Sequence, residues 1–320
     1  MNAIPPRVSA IVVNWNTCDC LDRCLQTLSE LWLSGAGQVI VVDNASTDGS
    51  PEMVRRKYPE VILLALTSNV GFGPGCNAGL ARADAPYALL LNSDIESEPG
   101  AVMRLVEFLD SHPDAGACGG RLVLPNGATQ TSAGLQLNLW WVFCEQFYLA
   151  KLFPATRLFG GYTLTWWDYA SDRPVDQVVG ACLLLRRAAD ERFPRFDERY
   201  FMYAEDTDLC ERIRRTGQQI WYVHDAVFHH RLGASSEQKP VRAAMIAQYN
   251  ISRGIYFHDR QGAPGFARLK ALVTGGALLR LGIWQSLGAL GRAGAAEQVQ
   301  LFREVLNLTR QMRKPDTIFQ

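Results

Sequence analysis

Three polar residues close an apolar run at residues 87–96 of this 320-residue chain. The run is YALLLNSDIE, and it carries Asn92, Asp94 and Glu96 at alternate positions. Alternate residues of a strand lie on the same side of the chain, so we expect these three side chains to face one way. Oxygen ligands at this spacing suit a hard divalent cation such as Mg²⁺ or Mn²⁺, which commonly bridges carboxylates and a diphosphate. A strand that ends in Asn-Ser-Asp is also typical of a simple turn, and that interpretation stays open.

A second acidic group lies in the segment FDERYFMYAEDTDLCERIRRTG, at residues 196–217. Glu205 and Asp206 are adjacent at a predicted helix start, where the helix dipole alone would stabilise them. Aromatic and apolar neighbours at 201–203 predict partial desolvation, which raises the pKa of a carboxyl towards that of a useful general base. The segment is therefore a candidate for proton transfer, with simple helix capping as the alternative.

Two histidines end a short apolar run in VFHHRLGASS, at residues 227–236. Such pairs are usually structural. Beside a diphosphate and a cation, however, a neutral imidazole from His229 or His230 could serve as a ligand.

Two further loops are rich in polar or small residues. VVDNASTDGS, at residues 41–50, places Asp43 at the end of a predicted strand, followed by residues suited to turns and caps. We favour the turn role for Ser46 and Asp48. NVGFGPGCNAGL, at residues 69–80, has glycines that permit close backbone approach, but it lacks the Lys-Ser/Thr pair of a phosphate-binding P-loop.

The elements that must position these residues alternate between strands and helices over residues 8–125. This alternation predicts an α/β fold with a mainly parallel, doubly wound sheet. Ligands of such sheets bind beyond the carboxyl ends of the strands, and three predicted strands end in polar residues at 14–16, 43–48 and 92–96. Residues 126–175 interrupt the alternation with many aromatics, and the chain beyond about residue 236 is predicted to be helical.

Composition limits the classes of function. Lysine plus arginine equals aspartate plus glutamate, at 32 each, which argues against a nucleic-acid-binding protein. The eight cysteines are scattered, and the group Cys18, Cys20 and Cys24 lacks a second pair at zinc spacing, so we interpret these residues as reduced thiols. The N-terminal apolar run is typical of a strand rather than a signal peptide, and we expect a cytoplasmic protein.

The C-terminal segment 265–294 carries four basic residues and no acidic one within a long apolar stretch. Arg280 and several glycines interrupt that stretch, so contact with a membrane surface is a better interpretation than a membrane-spanning helix. Core packing or a homodimer interface is the alternative.

Taken in order, these segments resemble the family 2 glycosyltransferases with the glycosyltransferase-A fold, and in particular the bacterial rhamnosyltransferase-like subgroup. The resemblance covers residues 8–236 and rests on seven segments: VSAIVVNWN, VVDNASTDGS, NVGFGPGCNAG, LLLNSD, VDQVVGACLLLRR, FDERYFMYAEDTDLCERIRRTG and HHRLGASS. It implies a Rossmann-like catalytic domain at 1–236, with a nucleotide-binding half at 1–125 and an acceptor half at 126–236. A helical region at 237–320 follows.

The resemblance also implies roles for individual residues. Asp206 corresponds to the catalytic base and Glu205 to its neighbour, with the reverse assignment open. Asp94 corresponds to the metal-binding acid of the family's Asp-X-Asp motif, and His230, with Gly233 and Ser235, fits a His-X-X-Gly-X-Ser pattern in which His229 is the alternative ligand. The implied nucleotide-sugar-binding residues are Asn14, Asn16, Asp43, Asn44, Asn69, Gly71, Asn77, Asn92, Ser93 and Asp94. The implied acceptor residues are Trp166, Trp167 and Gly180.

The resemblance implies an inverting transfer of a sugar from a nucleotide-diphosphate donor, with dTDP-rhamnose favoured. The acceptor would be a glycan or a polyprenyl-diphosphate-linked sugar of cell-surface polysaccharide synthesis, met at the inner face of the cytoplasmic membrane. Two other classes stay open, an inactive nucleotide-sugar-binding module and a nucleotidyltransferase. The first would lack the base or the metal carboxylate, and the second would carry a glycine-rich loop where this chain has NWNTCDC.

Overall fold

The computed structural model describes residues 5–231 and 239–313, which group into two compact units. The first unit takes its described residues from Met1–Gln136, Trp167–Phe201 and Glu205–Ser235, and the second from Leu137–Trp166, Met202–Ala204 and Ser236–Gln320. The aromatic segment 137–166, which the sequence analysis placed in the acceptor half of the catalytic domain, thus groups with the C-terminal helices.

The first unit contains all the strands of the described residues. These are β1 (Val8–Asn14), β2 (Gly37–Asp43), β3 (Ile62–Ala65), β4 (Tyr87–Asn92), β5 (Ile95–Ser97), β6 (Ala115–Val123), β7 (Ala133–Gly134), β8 (Arg173–Val175), β9 (Gln177–Val178), β10 (Cys182–Arg186) and β11 (Gln219–His230). Its helices are α1 (Cys18–Leu33), α2 (Ser50–Lys57), α3 (Phe72–Leu80), α4 (Ala101–Ser111) and α7 (Glu205–Arg215).

The main sheet has the strand order β3-β2-β1-β4-β10-β6-β11-β5, and β8 pairs with β11. The β3-β2-β1-β4 part is parallel throughout, as the strand–helix alternation predicts. The later strands make the sheet mixed, because β10 runs antiparallel between β4 and β6. β7 and β9 form a separate two-stranded sheet.

Burial on both faces explains the apolar runs of the central strands. All seven residues of β1 are buried. On one face, α1 packs Leu21, Cys24, Leu25, Leu28 and Leu31 into the main core, the five positions that its helical spacing predicts. This packing fixes the carboxyl ends of β1, β2 and β4 along one edge of the parallel sheet.

The second unit is helical among its described residues. Its helices are α5 (Leu139–Gln146), α6 (Leu149–Leu152), α8 (Lys239–Ala289) and α9 (Ala295–Gln311). α8 is broken at Gly262, whose backbone is not helical. Arg253 is fully buried in this unit and forms an ion pair with Glu145, with 2.5 Å between Nη2 and Oε2. In the described part of the chain, no helix is long and apolar enough to cross a membrane.

Candidate active site

Asp43 lies at the end of β2 and is 1% exposed. Its Oδ1 accepts a hydrogen bond from Asn14 Nδ2 at 2.8 Å, and its Oδ2 accepts one from the backbone N–H of Ser46 at 2.9 Å. Asp43 therefore fixes the loop after its own strand to the end of β1. Each carboxylate oxygen can accept two hydrogen bonds, so Asp43 keeps capacity to accept one from a ligand.

The loops after β1 and β2 are joined by side chains. Asn16 has a left-handed backbone, with φ of 52°, which asparagine adopts more readily than most residues. Its Oδ1 accepts from Thr47 N at 2.7 Å, and its own N–H donates to Ser46 Oγ at 2.9 Å. Asp48 accepts from Cys18 N at 2.8 Å. Ser46 and Asp48 thus hold the turn, in agreement with the favoured interpretation.

The glycine-rich segment before α3 is held against this loop by two asparagines. Asn44 is 3% exposed, and its Nδ2 donates to the carbonyl of Gly71 at 3.0 Å. Asn69 Oδ1 accepts from Gly71 N at 2.9 Å. Gly71 has φ of 93°, and a Cβ at this position would lie 2.2 Å from the carbonyl oxygen of Phe201. This close approach requires glycine and places Phe201 against the entrance of α3, beside the loop after β2.

Asn77 has a different role from the predicted one. It was assigned to nucleotide-sugar binding, but it is 1% exposed and its amide pairs with the backbone of Phe196. Its Nδ2 donates to Phe196 O at 3.0 Å, and its Oδ1 accepts from Phe196 N at 2.9 Å. Asn77 therefore holds the segment before α7 onto α3.

The segment YALLLNSDIE is not one strand. β4 ends at Asn92, residues 93 and 94 form a turn, and β5 pairs with β11 in the antiparallel sense. The prediction that alternation along a single strand aligns Asn92, Asp94 and Glu96 is therefore wrong. Glu96 Oε1 instead accepts from Arg231 Nε at 2.6 Å and from Arg23 Nε at 3.2 Å.

The turn after β4 is tied to the loop after β1. Ser93 is 7% exposed, and its Oγ lies 2.7 Å from Thr17 Oγ1. Thr17 Oγ1 also donates to Asn14 Oδ1 at 2.7 Å. Thr17, which was not among the predicted site residues, thus joins the turn after β4 to the end of β1 in one hydrogen-bonded network.

The structure brings His230 to Asp94, with 3.3 Å between His230 Nε2 and Asp94 Oδ1. His230 is 5% exposed as a side chain, whereas His229 is 49% exposed and faces Glu98, with 2.9 Å between Nε2 and Oε1. Neighbouring residues of a strand point to opposite faces, so His230 and not His229 belongs with Asp94. Gly233 and Ser235 of the predicted histidine pattern lie outside the described residues.

The donor set at Asp94 and His230 fits a divalent cation. His230 Nδ1 lies 2.8 Å from Gln130 Oε1, and since a carbonyl oxygen only accepts, Nδ1 carries the hydrogen. In the neutral ring, Nε2 then presents a lone pair beside the Asp94 carboxylate, and a cation satisfies both. No local pattern points to Gln130, because it lies 100 residues from His230 in the chain.

Asp172, His224 and Asp225 also bring ligand atoms within 4.8 Å of one another. Arg104 Nε donates to Asp225 at 2.8 Å, and His224 Nδ1 lies 2.7 Å from Asp172 Oδ1. Because a guanidinium already balances this group, we interpret it as an ion-paired surface cluster.

Asp206 is held at the start of α7 by backbone donors. Its Oδ2 accepts from Gly180 N at 2.9 Å, and its Oδ1 accepts from Thr207 N at 2.7 Å. Burial raises the pKa of Asp206 above its usual range, and these hydrogen bonds to the charged form oppose the rise. The result is a carboxylate that is fixed in position and has increased basicity, as a general base requires.

Glu205 is the more deeply buried member of the pair, at 6% exposed. Burial, followed by the charge of Asp206, raises the pKa of Glu205 well above its usual range. Its Oε2 has no hydrogen-bond partner among the residues that the structure describes. These surroundings favour a protonated Glu205 beside an ionised Asp206, which supports Asp206 as the base.

Asp206 and Asp94 lie at the same edge of the sheet. The next residue after Gly180 is Ala181, whose carbonyl accepts from Asn92 N at 3.1 Å. The backbone that holds Asp206 is thus bonded to the end of β4, two residues before Asp94. A Cβ at Gly180 would lie 3.0 Å from Phe72 Cε1, so the first residue of α3 also lies here.

The two candidate acceptor tryptophans are adjacent in sequence and group with different units. In the first unit, Trp167 stacks on Tyr169 with 4.4 Å between ring centroids, and it meets the edge of Tyr222. In the second unit, Trp166 lies under the guanidinium of Arg157 at 4.5 Å. Gly180, the third predicted acceptor residue, contacts Asp206 directly.

Comparisons with known proteins identify the family. A sequence model described as "Glycosyl transferase family 2" matches residues 9–165. The chain is 31% identical over 281 residues to the N-acetylglucosaminyl-diphospho-decaprenol L-rhamnosyltransferase of Mycobacterium tuberculosis, covering 84% of this chain and 90% of that protein. It is also 27% identical to the O-antigen biosynthesis protein RfbC of Myxococcus xanthus, over 78% of this chain and 19% of that protein.

Among solved structures, the mannosyltransferase PcManGT from Pyrobaculum calidifontis, in complex with GDP-Man and Mn²⁺, has the same fold. The TM-score is 0.53 and the identity is 16%, with 96% of this chain and 86% of that chain covered. The mixed α/β architecture with a C-terminal helical extension is the predicted one. Together with the similarity to the mycobacterial enzyme over 84% of this chain, this architecture shows that the chain belongs to glycosyltransferase family 2 and is a glycosyltransferase with the glycosyltransferase-A fold.

Proposed function

We propose that this enzyme transfers L-rhamnose from dTDP-rhamnose to a sugar carried on a polyprenyl diphosphate, with inversion at the anomeric carbon. The name of the mycobacterial relative supports the sugar and the acceptor class, and RfbC supports a place in cell-surface polysaccharide synthesis. A polyprenyl-linked acceptor would be met at the inner face of the cytoplasmic membrane.

The observation that carries the mechanism is the position of Asp206. Its carboxylate is fixed by Gly180 N, and the carbonyl of the next residue is bonded to the end of β4, two residues before Asp94, which meets His230. An acceptor hydroxyl within hydrogen-bond distance of Asp206 loses its proton to this carboxylate as its oxygen attacks the anomeric carbon. Attack on the face opposite the nucleotide inverts that centre in one step.

On the donor side, Asp94 and His230 would hold Mg²⁺ or Mn²⁺. The Mn²⁺ and GDP-Man of PcManGT support a divalent cation beside a nucleotide-sugar in this fold. A bound cation supplies neutralisation of the charge that develops on the departing diphosphate. Gln130 keeps His230 in the ligating tautomer, and Asp43, Asn14 and Asn44 hold the loop that faces the nucleotide.

The experiment is a comparison of Asp206→Asn with Asp208→Asn. Both residues lie on α7, but Asp208 pairs with Arg212 at 2.8 Å. We expect Asp206→Asn to lower kcat by about 10²–10⁴-fold with dTDP-rhamnose and an N-acetylglucosaminyl-diphosphate lipid, and Asp208→Asn to keep most of the turnover. Wild-type turnover in a folded Asp206→Asn protein contradicts the base assignment.

The donor is tested separately. We expect wild-type enzyme to transfer sugar from dTDP-rhamnose at least about tenfold more efficiently, as kcat/KM, than from UDP-glucose or GDP-mannose. Equal efficiency with the three donors contradicts the rhamnose assignment but leaves the mechanism standing.

A further inference from the structure

Large apolar side chains are exposed together in two segments of the second unit. Fourteen such side chains are exposed among the described residues, and half of them lie in these segments. We define the apolar patch as Leu152, Phe153 and Leu158 from the end of α6 and the loop after it, with Leu278, Leu279 and Ile283 from the second half of α8 and Leu290 just after that helix. Leu290 is 83% exposed and Leu152 is 67% exposed.

The two segments approach each other near Arg280, because the end of α5 packs on the second half of α8. Arg280 donates from Nη1 to Gln146 Oε1 at 2.9 Å and from Nη2 to the carbonyl of Glu145 at 3.0 Å. Its guanidinium also lies 4.8 Å from the ring of Tyr148. α6 begins one residue after Tyr148, and Leu279 and Ile283 flank Arg280 on α8. The apolar patch is therefore assembled from neighbouring elements.

The loop after α6 is held with its apolar side chains outward. Thr165 Oγ1 donates to Pro154 O at 2.6 Å, and Trp140 Nε1 donates to Leu158 O at 2.8 Å. Gly160 N donates to Thr156 O at 2.8 Å. Residues 151–158 are all exposed, so this fixed conformation presents Leu152, Phe153 and Leu158 to solvent. An ordered loop that keeps three large apolar groups in water points to a partner that covers them.

The charge around the patch selects the class of partner. The chain as a whole has equal numbers of acidic and basic residues, but the segments that carry the patch, 146–167 and 271–296, contain no acidic residue. These segments contain four basic residues, and three of them, Lys151, Arg157 and Arg292, are exposed. Apolar groups among positive charges suit a bilayer with anionic headgroups. A second copy of the same face would bring like charges together.

We propose that this patch docks the enzyme on an anionic lipid bilayer, with the seven apolar side chains in the headgroup–acyl boundary and Lys151, Arg157 and Arg292 against the headgroups. The inference rests on the proposed function, since a lipid-linked acceptor has to be met at such a surface.

The test is cosedimentation of the full chain with two kinds of vesicle. One contains phosphatidylcholine alone, and the other also contains about 30% phosphatidylglycerol, which gives it a negative surface. We expect wild-type protein to bind the anionic vesicles at least about tenfold more strongly than the neutral ones. F153S/L290S should lower binding to anionic vesicles by about tenfold or more. Leu33→Ser is the matched control, because Leu33 is 78% exposed in the first unit, outside the patch, and we expect it to bind as wild type does.

Charge is tested with K151E/R292E, which should abolish the preference for anionic vesicles. Circular dichroism and thermal unfolding show whether each variant is folded. Wild-type protein that ignores anionic vesicles overturns the proposal, and so does a F153S/L290S protein that binds them as well as Leu33→Ser. If F153S/L290S instead converts a dimer to a monomer in sedimentation velocity, with no vesicle binding by wild type, the patch is a homodimer interface.

A water-soluble acceptor with a short lipid chain separates this inference from the proposed function. F153S/L290S should turn over that acceptor at the wild-type rate and lose rate only with the acceptor embedded in vesicles. Transfer of rhamnose without vesicle binding overturns the docking surface alone. Vesicle binding without transfer of rhamnose overturns the proposed function alone.

Discussion

Glu205 and Asp206 are adjacent carboxyl residues with different hydrogen-bond environments. Asp206 accepts from two backbone N–H groups, whereas Glu205 Oε2 has no partner within the described residues. Backbone donors stabilise the ionised form of Asp206, and burial without donors favours the protonated form of Glu205. The two adjacent carboxyl groups thus differ in the protonation state that their surroundings favour.

We expect Glu205→Gln to stabilise the protein at pH 7 by about 1–3 kcal/mol, because it removes a buried carboxyl that ionises unfavourably. The folded-state pKa of Glu205 is raised above the unfolded value, so the folded state holds a proton that the unfolded state has released. The contribution of Glu205 to the free energy of unfolding is therefore fully present below its unfolded-state pKa. It is lost as pH rises from that pKa through the folded-state pKa.

Urea unfolding of wild type and Glu205→Gln at several pH values measures this difference, which should shrink towards pH 4. Glu211→Gln is the matched control on the same helix, because Glu211 is 5% exposed and pairs with Arg215 at 2.6 Å. We expect that substitution to destabilise the protein. A Glu205→Gln protein that is less stable than wild type at pH 7 contradicts the protonated state.

Gln130 is a positioning residue for His230. We expect Gln130→Leu to weaken Mn²⁺ binding by about 10–100-fold, since the ring loses the acceptor that fixes its tautomer. Gln130→Glu keeps an acceptor at this position and should retain most of the affinity. Electron paramagnetic resonance of Mn²⁺ with the donor nucleotide measures binding without turnover. Equal affinity for Mn²⁺ in Gln130→Leu and Gln130→Glu would show that Gln130 does not orient the ligand.

Local patterns in the sequence pointed to Asp94, Asp206 and His230 as candidates, because each pattern carries chemical information. A strand that ends in acidic residues and a carboxylate pair among aromatics are both visible in one short segment. Thr17 and Gln130 were missed because each acts through a distant partner. Thr17 meets Ser93 across 76 residues, and no local spacing predicts that contact.

At the scale of elements, the start of α3 depends on a glycine. A Cβ at Gly71 would meet the backbone of Phe201, and the left-handed φ of 93° adds strain for any other residue. Because Asn44 binds the Gly71 carbonyl, a displaced Gly71 also disturbs the loop after β2. The entrance to α3 thus couples the loop after β2 to Phe201.

We expect Gly71→Ala to cost about 2–4 kcal/mol of stability and to raise the KM for the donor. Gly127→Ala is the control, because Gly127 also has a left-handed backbone, with φ of 81°, but a Cβ there would meet nothing within 4 Å. It should cost only about 1 kcal/mol and leave the KM for the donor unchanged. Equal stability losses in the two variants would show that the contact with Phe201 is unimportant.

Two element-level predictions differed from the structure for a common physical reason. β4 was expected to continue to Glu96, but Asn92 N bonds Ala181 O and Ile95 pairs with β11 instead. The aromatic segment was expected in the catalytic domain, but Leu137 and Val142 share a core with Tyr256 and Phe257. Apolar periodicity shows that a side chain is buried, and it does not show which distant element buries it.

At the scale of the whole molecule, the candidate donor site is confined to one unit. Asp43, Asp94, Asp206 and His230 all belong to the first unit, and the apolar patch belongs to the second. The zero net charge of the chain hides this division, because the basic excess around the patch is balanced by acidic residues elsewhere. Donor binding and lipid binding are therefore expected to be separable by mutation.

Thermal unfolding tests that separation. A ligand that binds only the folded state at about 100 times its Kd stabilises it by about 2.7 kcal/mol, which corresponds to about 5–10 °C for a unit of this size. We expect dTDP-rhamnose to raise the Tm by this amount with Mn²⁺ present and by much less with EDTA.

Asp94→Asn and His230→Ala should remove the Mn²⁺-dependent part. F153S/L290S should keep the full shift, because its substitutions lie in the other unit. Asp206→Asn should also keep it, because the proposed base contacts the acceptor and not the donor. If the Mn²⁺-dependent part of the Tm shift survives in a protein with both Asp94→Asn and His230→Ala, the cation binds elsewhere. If the shift disappears in F153S/L290S, donor binding depends on the apolar patch, and the two functions are not separable.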